Sequence, residues 1–227
     1  EPRLDIHPQD AQRLNIASDE LVEVLAPTGK AYYLATLTES VGVGEVFAPI
    51  HWTQAHAGRS VVSALVPRVV DPISGQPQSK QVAVAISPVV NTLWVRGVLY
   101  QTDQLMALRS LLNERSTYWC ALPGRAGVLF ESACHGADVA GLFAALTTQF
   151  KQASWSSFRS GGGDKRVMLM DGQEPLMALC QSAQRSALPV FAQIVAGATQ
   201  GTGDAVQPDA PDSRWRALAY SAQAVDS

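Results

Sequence analysis

The sequence predicts a mainly β unit followed by an α+β unit, and three observations lead there. Short runs rich in β-branched residues, or alternating in polarity, dominate residues 1–91. From residue 92 onward strand-like runs alternate with segments whose apolar residues recur at three- and four-residue steps. Pro, Gly, Asn and Asp separate the runs at short intervals, as turns between packed elements require.

Taken in order, His7 to Ile16 reads as a short helix with Pro8 in its first turn, where its missing N–H costs nothing, and Asn15 suits the left-handed residue that ends it. Asp19-Glu20 turns the chain. Leu21 to Leu25 and Ala31 to Thr36 are strand-like and joined by Pro27-Thr28-Gly29-Lys30, a hairpin turn in which glycine can supply a positive φ. Further strands are expected at Val43 to Phe47, Val61 to Val70 and Gln81 to Val89. A small barrel is the natural closure of such a unit, since closure removes exposed strand edges.

Beyond Asn91 the pattern gives a strand at Thr92 to Tyr100, a helix at Asp103 to Asn113, and strands at Ser116 to Pro123 and Gly127 to Ser132. Leu142, Phe143, Leu146 and Phe150 mark a helix over 139–150. Lys165 to Met170 and Glu174 to Ser182 read as a hairpin around Asp171-Gly172, and Leu188 to Ala196 as a last helix. The expected organisation is a β unit at 1–91, an α+β extension at 92–200 and a mobile tail at 201–227, where Gly, Gln, Asp and Pro accumulate.

With 47% hydrophobic and 16% charged residues, the 227-residue chain can bury a core, which sets it apart from disordered sequences. A net charge of -3, with no run of Lys or Arg, argues against a nucleic-acid or membrane-surface partner. No apolar stretch approaches the roughly 20 residues that span a bilayer, and the N-terminus lacks a basic-then-apolar signal pattern. Cys120, Cys134 and Cys180 are odd in number and match no disulfide framework or common metal spacing, so a reducing, cytoplasmic setting is expected.

The stretch from Gly44 to Lys80 carries the candidate chemistry. His51 and Trp52 lie in a run from Val46 to Gly58 without a formal charge, which suits either a packed barrel-mouth pair or a recognition surface. A metal pair of His51 and His56 lacks a nearby third ligand. From Arg59 to Lys80 the charges are Arg59, Arg68 and Lys80 against Asp71 alone; this local cation excess fits a phosphate-bearing ligand or a solvated loop in which Asp71 caps its own turn. Cys134 and His135, as neighbours on an extended segment, point to opposite faces and make no nucleophile-base pair. Gly161-Gly162-Gly163 lacks the strand-to-helix setting of a phosphate loop and suits a hairpin connection, and Gly42-Val43-Gly44 lacks the rest of a dinucleotide fingerprint.

His7-Pro8-Gln9-Asp10-Ala11 with Leu14 and Ile16, Leu21-Val22-Glu23-Val24, Gly44 to Phe47 with Pro49-Ile50-His51-Trp52, and Asp71 to Lys80 together resemble the C-terminal molybdopterin-dinucleotide-binding domain of the dimethyl sulfoxide reductase superfamily, and most closely that of assimilatory nitrate reductases. The likeness is strong over residues 1 to about 90 and continues more weakly through the region after it. It implies a double-psi β-barrel of the aspartate-decarboxylase-like kind. It also implies a molybdenum bis(molybdopterin guanine dinucleotide) cofactor, with Lys80 and Ser63 at cofactor-contact positions, the latter an asparagine in relatives. Ile50, His51 and Trp52 fall near the cofactor and substrate approach, and Gln76 and Ser74 are further candidates.

The resemblance further implies that a Thr-Gly-Arg stretch, the molybdenum-ligating cysteine and the ligands of a [4Fe-4S] cluster belong to upstream domains rather than to this chain. On that reading the chain holds no catalytic residue and no metal ligand, and is inactive alone. Its partners are the upstream domains of the same catalytic subunit and an electron-donor protein or reductase subunit. The alternatives are a formate dehydrogenase-like subunit with the same barrel, and a cofactor-free interaction module.

Overall fold

The structure is a computed structural model that describes residues 1–76, 81–90, 92–124, 127–135, 141–142, 145–146, 148–149, 154–159, 165–171 and 174–187. The chain divides into two compact units, one of residues 1–91 with 117–120, the other of 92–116 with 121–227.

The first unit is built on a five-stranded sheet in the order β4-β1-β3-β2-β5. Its strands are β1 (Arg3–Ile6), β2 (Leu21–Ala26), β3 (Gly29–Leu37), β4 (Val46–Phe47) and β5 (Ala85–Pro88). Strand β3 is central, parallel to β1 and antiparallel to β2. From Ala31 to Ala35 it is buried at every position, whereas β1 alternates with only Leu4 and Ile6 inward. Helix α1 (Pro8–Leu14) carries the chain from β1 towards β2. His7 caps it by accepting the Gln9 N–H through Nδ1, at 3.2 Å, and Asn15 ends it at φ 55°. Leu4, Ile6, Ala11, Ile16, Val22, Val24, Tyr33 and Leu65 form the core, with Val82, Val84 and Ile86 packed against it.

Four expectations for this unit need correction. Val61 to Val70 is not a strand: it holds a 3-10 helix, Val62–Ala64, and otherwise irregular chain. Its β-branched residues promise a pleated surface, yet only Val61 and Leu65, four apart, are buried, and that spacing fits one helical turn. The strand expected from Val43 shrinks to Val46–Phe47, because Gly44 takes φ 84° just before it. The run from Gln81 alternates in burial but pairs with β2 only from Ala85. Gly29 does not take a positive φ, since Ala26 pairs with Gly29 across a two-residue turn. It is glycine for want of space: a Cβ there would lie 2.7 Å from the Ala64 carbonyl oxygen. Strand β1 was not anticipated.

A six-stranded sheet in the order β7-β8-β6-β11-β10-β9 belongs to the second unit, except for residues 118–120 of β7, which fall in the first. Its strands are β6 (Thr92–Leu99), β7 (Tyr118–Gly124), β8 (Gly127–His135), β9 (Ser154–Arg159), β10 (Lys165–Asp171) and β11 (Glu174–Ser182). The pairs β6/β8, β6/β11, β10/β11 and β9/β10 are antiparallel. Helix α2 (Leu105–Arg115), entered through a 3-10 turn at Thr102–Gln104, buries Leu108 and Leu112. The hairpin expected around Asp171-Gly172 forms, with Asp171 opposite Glu174. The Gly161-Gly162-Gly163 segment lies outside the described residues, but the strands it joins pair antiparallel, Arg159 opposite Lys165. Strand β9 was not anticipated. Of the helix expected over 139–150, residues 141, 142, 145, 146, 148 and 149 are described and helical; the helix at 188–196 and the tail lie outside the described residues.

One carboxylate ties this sheet together. Glu131 on β8 is fully buried and accepts from Arg96 on β6, with Nε at 2.7 Å, and from Arg185 Nε at 2.8 Å. Arg185 also lies over the Trp94 ring, 5.7 Å from its centroid. Glu131→Ala should cost about 3–5 kcal/mol in chemical denaturation, since it removes the buried carboxylate to which both guanidinium groups are bonded. In the first unit the opposite sign is expected at Tyr33. Its buried hydroxyl has no hydrogen-bond partner among the described residues, and burial pushes the phenol up to about 12. Tyr33→Phe should therefore raise stability by about 1 kcal/mol, and a loss of stability in the same measurement would show that the hydroxyl is satisfied.

Candidate functional site

Two loops of the first unit, distant in sequence, meet beside the β2/β3 hairpin. The Thr28 hydroxyl in the hairpin turn donates to the Leu65 carbonyl at 2.6 Å, and the Tyr32 N–H donates to the Arg59 carbonyl at 3.0 Å. Val61 and Leu65 sink into the unit on either side of the 3-10 helix Val62–Ala64, so Ser63 between them is turned outward and exposed. The result is an open depression of about 520 Å³ lined by Thr28, Ser63, Ala64, Val66 and Arg68. That volume lies within the span of about 300–1,000 Å³ usual for small-molecule sites.

Its donors are the Arg68 guanidinium and the Ser63 hydroxyl, the Thr28 proton being given to Leu65, over walls contributed by Ala64 and Val66. Arg68 is exposed and makes no hydrogen bond or ion pair among the described residues. The one carboxylate in the following loop is committed elsewhere. Asp71 Oδ1 accepts from the Ser74 N–H at 2.7 Å, the Ser74 hydroxyl at 2.9 Å and the Ile73 N–H at 3.0 Å. These bonds, the Ser74 N–H first, hold its pKa below the ordinary carboxylate value. Gly75 closes the loop at φ 68°, donating its N–H to the Asp71 carbonyl. The self-capping reading of Asp71 is thus the observed one, and it leaves the cation excess around Arg68 in place.

The aromatic turn is positioned from the other end of the unit. Asp10 in α1 accepts the Gly44 N–H at 2.7 Å, a bond that leads the causes lowering its pKa, and it also pairs with Arg13. The His7-Pro8-Gln9-Asp10 motif therefore caps a helix and anchors the bend that opens the Gly44-to-Trp52 stretch. Ile50 is 75% exposed, His51 is exposed and Trp52 half-buried. His56 Nδ1 lies 3.0 Å from the Thr53 hydroxyl. Among the described residues no three His, Cys, Asp or Glu side chains converge as a metal site would require.

Of the residues singled out in the sequence, Ser63 lines the depression, whereas Ile50, His51, Trp52 and Gln76 do not, and Lys80 lies outside the described residues. Gln76 is exposed and its carbonyl accepts the Asp71 N–H at 2.8 Å. Thr28 was not anticipated, and Arg68 was visible only as part of a charge excess. Cys120, Cys134 and Cys180 are free and buried. Cys134 sits among the Ser116 and Ser132 hydroxyls, at 3.7 and 3.5 Å.

A hairpin-backed loop with a free cation, on a sheet that begins with a capped helix motif, is the setting in which the family described as "Molydopterin dinucleotide binding domain" matches residues 1–83. That stretch is a molybdopterin-dinucleotide-binding domain. A nitrate reductase of Klebsiella oxytoca is 40% identical over 87 residues, covering 38% of this chain and 10% of that protein. The assimilatory nitrate reductase catalytic subunit of Bacillus subtilis is 35% identical over 86 residues, again 38% of this chain and 12% of the relative. The F420-dependent formate dehydrogenase subunit alpha of Methanocaldococcus jannaschii is 34% identical over 86 residues, with the same shares. The chain thus spans 10–12% of the length of these curated relatives. No helix among the described residues is long and apolar enough to cross a membrane.

The Asp71 loop gives a test of its own. A carboxylate whose pKa is lowered by the fold stabilises it fully above the unfolded value and stops doing so as pH falls through the folded one. The loop should therefore hold through the neutral range and loosen only in acid. Asp71→Ala should speed amide exchange at Ile73, Ser74 and Gly75 at neutral pH, as read by hydrogen exchange. Unchanged exchange would show that the loop does not rest on its carboxylate.

Proposed function

We propose that this chain is the C-terminal cofactor-binding region of a molybdenum-dependent assimilatory nitrate reductase catalytic subunit, working in the cytoplasm as one part of a larger polypeptide. The observation that carries the reading is the match of residues 1–83 to the dinucleotide-binding domain, with nitrate reductases among the similar proteins. The five-stranded sheet, with β3 buried along its length, is compatible with closure into a double-psi barrel, and the second unit with an α+β extension.

The donor set fits the group this reading requires. The Ser63 hydroxyl with the Arg68 guanidinium suits a phosphate-bearing dinucleotide better than an apolar ligand. A molybdenum bis(molybdopterin guanine dinucleotide) cofactor, when bound, supplies the two-electron chemistry that takes an oxygen atom from nitrate and leaves nitrite. This chain's own part is to bind and bury. Ser63 and Lys80 would hold the dinucleotide, Ile50, His51 and Trp52 would line the approach to the metal, and Gln76 would contribute from the Asp71 loop. Phe47, Ile50, Val69, Val70 and Ile73 are all more than half exposed, Ile73 at 95%. Apolar side chains so placed are expected to be covered by the upstream domains, which would also bring the metal-ligating cysteine and the [4Fe-4S] cluster. An electron-donor protein or reductase subunit completes the assembly.

A second reading, a formate dehydrogenase-like subunit, is favoured by the methanogen relative. The intact polypeptide should be purified, its molybdenum and guanine nucleotide measured, and nitrate and formate offered with an artificial electron carrier. Molybdenum, guanine nucleotide and nitrate reduction support the first reading; formate oxidation selects the second. Absence of both metal and nucleotide would leave a cofactor-free interaction module. Lys80→Ala should lower cofactor occupancy about tenfold at limiting cofactor, the worth of one charge-assisted contact, with little loss of fold.

A further inference from the structure

We propose that Arg68 is a phosphate-binding residue of the dinucleotide site, gripping the cofactor's phosphates within the depression it shares with Ser63 and Thr28. The inference rests on the cofactor-binding reading above and adds a residue to it.

Arg68 supplies the positive charge on the wall of that depression. Arg68 is exposed and pairs with neither a carboxylate nor a carbonyl among the described residues. The nearest acidic residue in sequence, Asp71, spends its Oδ1 on the N–H groups and hydroxyl of its own loop. The guanidinium is therefore a fork of donors with its acceptor still to come, and a phosphate oxygen pair matches that fork bidentately.

The backbone on which Arg68 stands is held, which separates it from a cation on a loose loop. Leu65, three residues before it, is 4% exposed and its carbonyl is bonded by Thr28. The close approach of Gly29 to the Ala64 carbonyl locks the same segment from the hairpin side. Ser63 presents a hydroxyl able to donate one hydrogen bond and accept others, while Thr28, whose proton goes to Leu65, keeps lone pairs for an ordered water or a nucleotide hydroxyl. Ala64 and Val66 complete the lining of the depression.

The test uses the intact polypeptide carrying Arg68→Ala, Arg68→Lys or Arg68→Glu, each loaded with limiting molybdenum cofactor and assayed for molybdenum and acid-released guanine nucleotide. Arg68→Ala is expected to bind cofactor about tenfold more weakly, Arg68→Glu more weakly still, and Arg68→Lys to recover part of the loss, since a point charge replaces the fork. The cofactor-free variants should melt with the wild type, because Arg68 makes no hydrogen bond or ion pair among the described residues. Wild-type loading in Arg68→Ala and Arg68→Glu would overturn the assignment of Arg68 while leaving the cofactor-binding reading intact. A wild-type protein that takes up neither molybdenum nor guanine nucleotide would overturn both.

Discussion

In the first unit everything near the depression depends on how closely the β2/β3 hairpin approaches the chain at Ala64. Gly29 leaves no room for a Cβ, and the neighbouring Thr28 hydroxyl reaches the next carbonyl along, that of Leu65. One residue without a side chain and one with a short polar side chain thus join segments 37 residues apart. With the hairpin seated, Val61 and Leu65 can enter the core, the short 3-10 turn between them follows, and Ser63 and Arg68 are left facing outward. A side chain at position 29 would push the two segments apart and unseat all of these together.

The division of labour among the polar groups follows from local satisfaction. Asp10 reaches the Gly44 bend from 34 residues away and Asp71 caps the loop after Arg68, and each is engaged by backbone N–H groups, Asp10 by Gly44 and Asp71 by Ile73 and Ser74. Both are fixed as anions by those bonds and serve the shape of the chain rather than its reactivity. Arg68, three residues before Asp71, is thereby left for other uses, whereas Arg13 stays paired with Asp10. A net-acidic chain can in this way present a positive spot.

Local features were the legible ones. Helix α1 could be placed because its signals, Pro8 at the start and Asn15 at the end, act within a single turn. The β2/β3 hairpin could be placed from its turn residues, although the role of Gly29 there is steric rather than conformational. The run from Val61 to Val70 misled because β-branched composition reports how a side chain fits a half-buried surface, not whether a neighbouring strand exists to pair with it. Strand β1 offered only four residues and β9 is half serine, so neither pattern stands out before their partners β3 and β10 are known. Of the site, the cation excess could be counted from the sequence. Thr28 could not be found there, because only long-range packing brings it beside Ser63.

The Arg96, Glu131 and Arg185 cluster has a consequence for how this sheet can vary over time. Two guanidinium groups from separate segments share one buried carboxylate, so replacing Glu131 alone takes that acceptor from both arginines, while replacing all three by apolar residues of similar bulk need cost little. The cluster is a single heritable unit spread over three positions. Descendants of this chain should keep it whole or lose it whole, and a redesign that drifts through it one residue at a time crosses a valley that a concerted change avoids.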